Sequence, residues 1–250
     1  LKDYSDALFS SRLSMEDRVM VHKIGTSASE TLKGTGDEDR LEGRGGNDRL
    51  FGFDDQDRLQ GGDGKDFLYG GGSADRLQGG AGIDFLYGAG GADRLEGDRG
   101  NDFLYGSDGT DELRGGQGND RLSGGDGADK LRGDIGRDKL YGGDGADRFI
   151  FKTVAESTVG FSGRDTIYDF SLDGGDKINV SSIDANSESS GNQAFKFIND
   201  ADFHEKAGEL RYEIRSDDTF VYADRNGDGK ADFSVRLDDE LHLEKGDFIL

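Results

Sequence analysis

From Gly34 to Ile150 the chain repeats itself every nine residues, thirteen times, without one insertion. Position 1 of the nonapeptide is Gly in all thirteen copies, from Gly34, Gly43 and Gly52 to Gly142. Position 6 is Asp in all thirteen: Asp39, Asp48, Asp57, Asp66, Asp75, Asp84, Asp93, Asp102, Asp111, Asp120, Asp129, Asp138 and Asp147. Position 8 is Leu in twelve copies and Phe149 in the last. Position 4 is Gly in ten, with Asp37, Asp55 and Ser73 as the exceptions. Residues 25–33 keep the register through Gly25, Glu30 and Leu32 and read as a degenerate capping repeat. A unit this short cannot bury an apolar face alone, so the copies must stack on one another.

Each position has a physical reason. Glycine supplies positive φ and close backbone approach, so a six-residue turn can curl until its carbonyls point inward. Asp at the end of the turn adds a charged oxygen. The remaining x-Leu-x triplet predicts a strand of three residues, Leu inward and its neighbours outward. Those neighbours follow a second period. Alternate copies carry Phe67-Leu68-Tyr69, Phe85-Leu86-Tyr87 and Phe103-Leu104-Tyr105, and the others carry Arg58-Leu59-Gln60, Arg76-Leu77-Gln78 and Arg94-Leu95-Glu96. An outward period of eighteen predicts two nonapeptides per coil and two separate parallel sheets. Equivalent Asp residues would then lie about 4.8 Å apart in columns.

Carboxylates stacked at that spacing repel unless cations lie between them. Composition points the same way: 53 acidic residues face 31 basic ones, the net charge is −22, and only 32% of residues are hydrophobic. Such a chain would ordinarily stay disordered. So acidic a field is a poor partner for nucleic acid. Without Cys there are no disulfides or thiolate metal sites, which is compatible with an extracellular protein. Ca²⁺ is a hard cation that takes six to eight oxygens in irregular geometry, and a turn with several carbonyls and one carboxylate is half of such a site. Thirteen repeats make eleven pairings between copies two apart, hence up to about eleven Ca²⁺ sites. Eleven divalent ions would carry a charge that offsets the formal −22. No apolar run approaches a membrane span, and no signal peptide is visible. A start at Leu1 rather than Met reads as a fragment or a processed product.

These nonapeptides resemble the RTX repeats. The resemblance implies an all-β fold, a right-handed parallel β-roll with Ca²⁺ between successive coils. It also implies a ligand set in which one turn gives the carbonyls of positions 2 and 4 and its Asp, and the turn one coil later gives carbonyls of positions 1 and 3 and its Asp. One such set is Gly62, Gly64 and Asp66 with Gly79, Ala81 and Asp84. Its counterparts along the roll include Gly80, Gly82, Gly97, Gly115, Gly116, Gly118, Gly124, Gly125, Gly127, Gly133 and Gly142. Asp37, Asp55 and Ser73 leave carbonyl ligation open but put the local turn in question.

Flanking residues divide the chain into an N-terminal cap or linker (1–24), the roll (25–150) and a C-terminal segment (151–250). Tyr4, Leu8, Phe9, Leu13 and Met15 fit a short amphipathic helix from Asp3 to Ser14, followed by a strand entering the roll. Past Phe151 the Gly/Asp period stops and strands are expected at 165–170, 176–183, 194–198, 209–215, 218–223 and 231–237. This part resembles the C-terminal domain of the serralysin-type secreted metalloproteases, through residues 165–170 (DTIYDF), 175–178 (GDKI), 207–210 (AGEL) and 224–232 (DRNGDGKAD). By that resemblance Asp247, Phe248, Ile249 and Leu250 look like an uncleaved type I secretion signal. They also suit a final β-strand. Asp224, Asn226, Asp228 and Asp232 have the oxygen spacing of an EF-hand loop, yet Val235 stands where Glu is expected, so an additional metal site and an acidic hairpin turn both remain open.

No catalytic constellation is visible. Of the three His residues only His204 is followed by Glu, and the second His of a zinc protease motif is absent. One functional reading is therefore a calcium-binding module that folds outside the cell and supports type I secretion and stability of an exported protein, with any catalytic domain lying upstream. The other is an extracellular polysaccharide-binding or adhesion module. Arg40, Arg58, Arg76 and Arg94 would form a basic ladder able to follow an acidic polysaccharide, as an analogy with alginate-epimerase accessory modules suggests, unless each Arg neutralises a neighbouring carboxylate. Phe67, Phe85, Phe103, Tyr69, Tyr87 and Tyr105 would make an aromatic face that either packs within the molecule or meets a partner.

Overall fold

The computed structural model describes residues 20–250. The helix expected from Asp3 to Ser14 lies outside the described residues, as does most of the N-terminal cap. Two sheets make up the molecule. The strands of alternate repeats fall in different sheets, one of ten strands and one of twelve. Each residue pairs with the one eighteen positions on, as in Arg58↔Arg76, Leu59↔Leu77 and Gln60↔Gln78. On the other sheet Phe67↔Phe85, Leu68↔Leu86 and Tyr69↔Tyr87 do the same. The fold is thus an all-β parallel solenoid with two nonapeptides per coil.

The interior is narrow. The position-8 leucines from Leu41 to Leu140 and Phe149 are all buried, stacked one per repeat from both sheets. Burying a leucine contributes roughly 1.5–3 kcal/mol. Position 7 faces water and position 9 is half-buried in most copies, while the position-1 glycines lie inside with no side chain to accommodate. The strands are longer than the expected triplet. Arg58–Asp63 and Arg76–Ala81 each run six residues, through positions 7, 8, 9, 1, 2 and 3. Identical coils in register also pair the start of the turn, Gly62↔Gly80 and Asp63↔Ala81, so backbone groups assigned to a loop find ladder partners instead.

Neither sheet ends at Ile150. Strand Arg148–Ile150 pairs with Lys177–Asn179, which pairs with Phe248–Ile249. Strand Lys139–Asp144 pairs with Thr166–Ile167, and that with Phe233–Leu237. An antiparallel meander of Phe233–Leu237, Asp218–Asp224 and Glu209–Arg215 then completes the larger sheet with Lys196–Phe197 at its edge. All six strands expected after Phe151 form, three of them shortened to two or three residues. Phe149, Phe151, Phe233 and Val235 close the end of the leucine core. Among the described residues no helix is long and apolar enough to cross a membrane.

Candidate metal centre

The position-6 carboxylates stand in two buried columns, from Asp39 at 1% exposure to Asp147 at 0%. A buried charge needs a partner, and here one oxygen of each has it. Oδ1 of Asp84 accepts the backbone N–H of Asp66 at 2.8 Å, and Oδ1 of Asp102 accepts that of Asp84 at 2.9 Å. This bond recurs eleven times between the thirteen repeats. The other oxygen has no hydrogen-bond partner: Oδ2 is buried and unpaired in Asp48, Asp57, Asp66, Asp75, Asp84, Asp93, Asp102, Asp111, Asp120, Asp129, Asp138 and Asp147.

Backbone carbonyls surround these oxygens, and the glycines are what admit them. A Cβ built on Gly97 would lie 2.6 Å from Asp102 Oδ2 and 2.6 Å from the carbonyl oxygen of Gly115, one coil later. Gly79, Gly115, Gly124, Gly133 and Gly142 hold the Oδ2 of their own turns against the same position. The carbonyls of positions 2 and 4 point the opposite way along the axis. A Cβ on Gly80 would strike the carbonyl of Gly62, and one on Gly82 that of Gly64. Gly116, Gly118, Gly125 and Gly127 face Asp98, Gly100, Ser107 and Gly109 likewise. The Ala81 carbonyl turns back to the preceding coil, accepting the Gly64 N–H at 2.7 Å. Between two coils, therefore, carbonyls of positions 2 and 4 from one side meet those of positions 1 and 3 from the other, beside two Asp carboxylates. At two of the three irregular turns, Asp55 and Ser73 adopt φ of 64° and 73° and keep the turn, while Asp37 is not among the residues of positive φ.

Without a cation the columns are electrostatically strained. Burial, reinforced by the neighbouring carboxylates of the column, raises Asp84 and Asp102 to about 7 and Asp75 to about 8. Donation from the preceding Asp N–H opposes the shift without cancelling it. An oxygen-lined, dry, anionic cradle of this kind fits a hard divalent cation. Among the described residues no group of three or more acidic or His side chains could by itself hold a metal ion, so each cradle takes most of its oxygens from the backbone.

Sequence reasoning missed how the columns end. Asp138 N–H donates to Asp165 Oδ1 at 2.8 Å and Asp147 N–H to Asp176 Oδ1 at 2.9 Å. Asp165 Oδ2 is buried and unpaired like those before it, and burial pushes its carboxyl well up. The signal was there in miniature: Asp165-Thr166-Ile167 and Asp176-Lys177-Ile178 keep the Asp-x-apolar spacing of positions 6 to 8. Asp165 still falls in the count of nine but follows its column neighbour Asp138 by 27 residues instead of eighteen, and Asp176, 29 residues after Asp147, leaves the count altogether. At the other end Glu30 N–H donates to Asp48 Oδ1 at 2.8 Å, and Glu30 fills the Asp place.

The Peptidase M10 serralysin C-terminal family model matches residues 38–250. The chain belongs to this family. The serralysin C-terminal domain is the non-catalytic, RTX-repeat part of such proteins, and the matched region takes in both the columns and the meander that closes them. Among solved structures, the AlgE6R3 subunit of the Azotobacter vinelandii mannuronan C5-epimerase is 24% identical, over 71% of this chain and 78% of its own, with a TM-score of 0.32. The AlgE6R2 subunit of the same enzyme is 25% identical, over 60% of this chain and 87% of its own, with a TM-score of 0.42. A search of curated proteins found no match.

The remaining predicted residues are placed as follows in this serralysin-family domain. Asp224 ends one antiparallel strand, and residues 225–232 form the loop to the next. Asp224 Oδ1 accepts Gly227 N–H at 2.7 Å and Oδ2 accepts Gly229 N–H at 2.9 Å, while Asp232 Oδ2 accepts Arg225 N–H at 2.8 Å. Asn226 and Asp228 accept the N–H two residues on. In the arginine ladder, Arg58 meets Glu38 at 3.0 Å, Arg94 meets Glu112 at 3.2 Å and Arg40 lies 4.0 Å from Glu42, whereas no ion pair is found at Arg76 among the described residues. On the other face Phe67, Phe85 and Phe103 stack at 4.8 and 4.7 Å and Tyr87 on Tyr105 at 5.0 Å, with Tyr69 alongside. The C-terminal strands lengthen that sheet at its edge. Phe248 and Ile249 form the last strand of the smaller sheet, preceded by Asp247 at 3.7 Å from Lys177 and followed by Leu250.

Proposed function

We propose that this chain is a calcium-assembled module of an exported protein, folding outside the cell where calcium is plentiful and staying unfolded where it is scarce. The observation that carries the reading is the run of buried, unpaired Asp Oδ2 atoms facing inter-coil carbonyls. In the proposed sites Asp66 and Asp84 would hold one Ca²⁺ with the carbonyls of Gly62, Gly64, Gly79 and Ala81, and the other coils would repeat the set. Asp165, with its unpaired Oδ2, would add one site to its column beyond the eleven within the repeats, whereas Asp176 Oδ2 already accepts the Ser171 N–H at 2.9 Å. Because the ligands converge only in the folded state, binding free energy becomes folding free energy. Extracellular calcium modules bind at about 10⁻⁴ to 10⁻³ M, a range that separates the inside of a cell from its surroundings. Membership of the serralysin C-terminal family supports type I export, with Asp247 to Leu250 as the terminal signal. The ion pairs of Arg40, Arg58 and Arg94 favour a structural role for the basic ladder over polysaccharide binding.

The test is a calcium titration of the metal-free chain followed by far-UV circular dichroism, with magnesium in parallel. A cooperative gain of β-structure with calcium alone, reversed by chelator, is the expected result. Full β-structure without calcium, or an equal response to magnesium, would remove the basis of the reading.

A further inference from the structure

A cavity of about 480 Å³ opens on the larger sheet where the repeats meet the C-terminal meander. Its walls are unlike the rest of this acidic molecule. Arg137, Lys139, Arg164 and Arg236 all line it, against Asp218 and the inward-turned Asp138. Of these four, only Arg236 has carboxylate partners among the described residues, Asp218 at 2.8 Å and Asp238. Its Nε is nevertheless buried without an acceptor. Arg164 spends its guanidinium on Ser234 Oγ and the Val159 carbonyl. Among the described residues no ion pair is found at Arg137, Lys139 or Arg164. Three cations that no carboxylate neutralises among the described residues thus converge on one cavity.

Aromatic rings supply the other half. Phe161 is 81% exposed at the cavity, its ring 5.1 Å from the Arg137 guanidinium. Phe220 lies 5.1 Å from that of Arg164, and Tyr168 stacks on Tyr141 at 4.8 Å. An exposed phenylalanine beside cations offers a flat apolar face, suited to the C–H face of a sugar ring, while the cations take a carboxylate. A pocket of a few hundred Å³ holds ligands of that size.

We infer that this cavity binds an acidic saccharide, one uronate residue seated with its carboxylate on Arg137, Lys139 and Arg164 and its ring against Phe161. The cavity adjoins the calcium column at Asp138, while its cations and rings belong to none of the proposed metal sites.

The experiment is calorimetric titration of the calcium-saturated full chain, at equal calcium in cell and syringe, with trigalacturonate and, as the uncharged counterpart, maltotriose. Trigalacturonate should bind and maltotriose should not. Arg137→Gln and Phe161→Ala, both at exposed side chains, should each weaken binding by about tenfold or more, the loss expected for a charge-assisted hydrogen bond or a stacking contact. Arg76→Gln, on the opposite sheet, should leave it unchanged. The calcium midpoint by circular dichroism checks each variant's fold, and Lys139→Gln replaces any that fails. Equal affinity for maltotriose overturns the inference, as does the absence of heat with trigalacturonate. Unchanged binding in the folded variants, or displacement of trigalacturonate by an equimolar amount of inorganic phosphate, overturns it too.

Discussion

At Gly64 the backbone sits at φ 128°, and the carbonyl oxygen of Gly46 occupies the place where a Cβ would stand. Gly72 has room: a Cβ there meets nothing nearer than Asp54 Oδ1 at 3.5 Å. Two substitutions of identical chemistry should therefore part company. Gly64→Ala should cost about 1–3 kcal/mol, the usual range for forced backbone strain, and raise the calcium midpoint. Gly72→Ala should stay within about 0.5 kcal/mol, as ordinary surface changes do. Equilibrium urea unfolding at fixed calcium measures both, and equal losses would contradict the close approach of coils. Single residues were legible in the sequence where one type recurs, as with Asp at position 6. Position 2 was not. Its positive φ is carried by Gly62 and Gly80 but also by Arg44, Phe53, Ala89, Asp98, Ser107 and Asp134. Stacking over-determines that turn, so side chains that disfavour it are tolerated and no residue type marks it.

Among the elements, the eighteen-residue alternation of Arg-Leu-Gln with Phe-Leu-Tyr foretold both sheets and their register, because outward side chains show which strands are neighbours. Strand length was hidden, since positions 1 to 3 read as turn and pair only when an identical coil lies beside them. Hidden too was the fate of the columns past Asp147, where Asp165 follows Asp138 by 27 residues and Asp176 follows Asp147 by 29, so neither keeps the step of eighteen. Asp165→Asn would keep an acceptor for the Asp138 N–H while removing a charge. Native mass spectrometry should then find one calcium fewer per chain, and Asp173→Asn, at an exposed residue, should lose none. Equal stoichiometry in the two variants would show that the column stops at the repeats. Within the same element, Leu86→Ala should destabilise the calcium-loaded chain by about 2–5 kcal/mol, since its side chain is fully buried. A thermal melt at saturating calcium measures that loss, and a loss comparable to that of an exposed position would contradict the leucine core.

For the whole molecule the decisive quantity is charge against pH. The column carboxyls are raised in the metal-free fold, Asp57 and Asp66 to about 6, Asp84 to about 7 and Asp75 to about 8, chiefly by burial. An acid with a raised folded pKa binds protons more tightly when folded. Its contribution is complete below the unfolded carboxylate pKa of about 4 and is lost as pH rises through about 6 to 8. Calcium needs the ionised form, so its dependence runs the other way. Circular dichroism should show more β-structure at pH 5 than at pH 8 in chelator, and a calcium midpoint at pH 5 above that at pH 8. A midpoint independent of pH would mean that the Asp columns do not bind the metal.

The pairing of each residue with the one eighteen positions on has a hereditary side. Duplicating or deleting eighteen residues lengthens or shortens both ladders and leaves every later side chain on its own face. A change of nine keeps the glycines, the Asp columns and the leucine core, but moves every later arginine to the aromatic face and every later aromatic to the basic one. A gene for such a chain can thus drift in length by pairs of repeats almost unnoticed, whereas an odd step reverses the two surfaces of everything downstream.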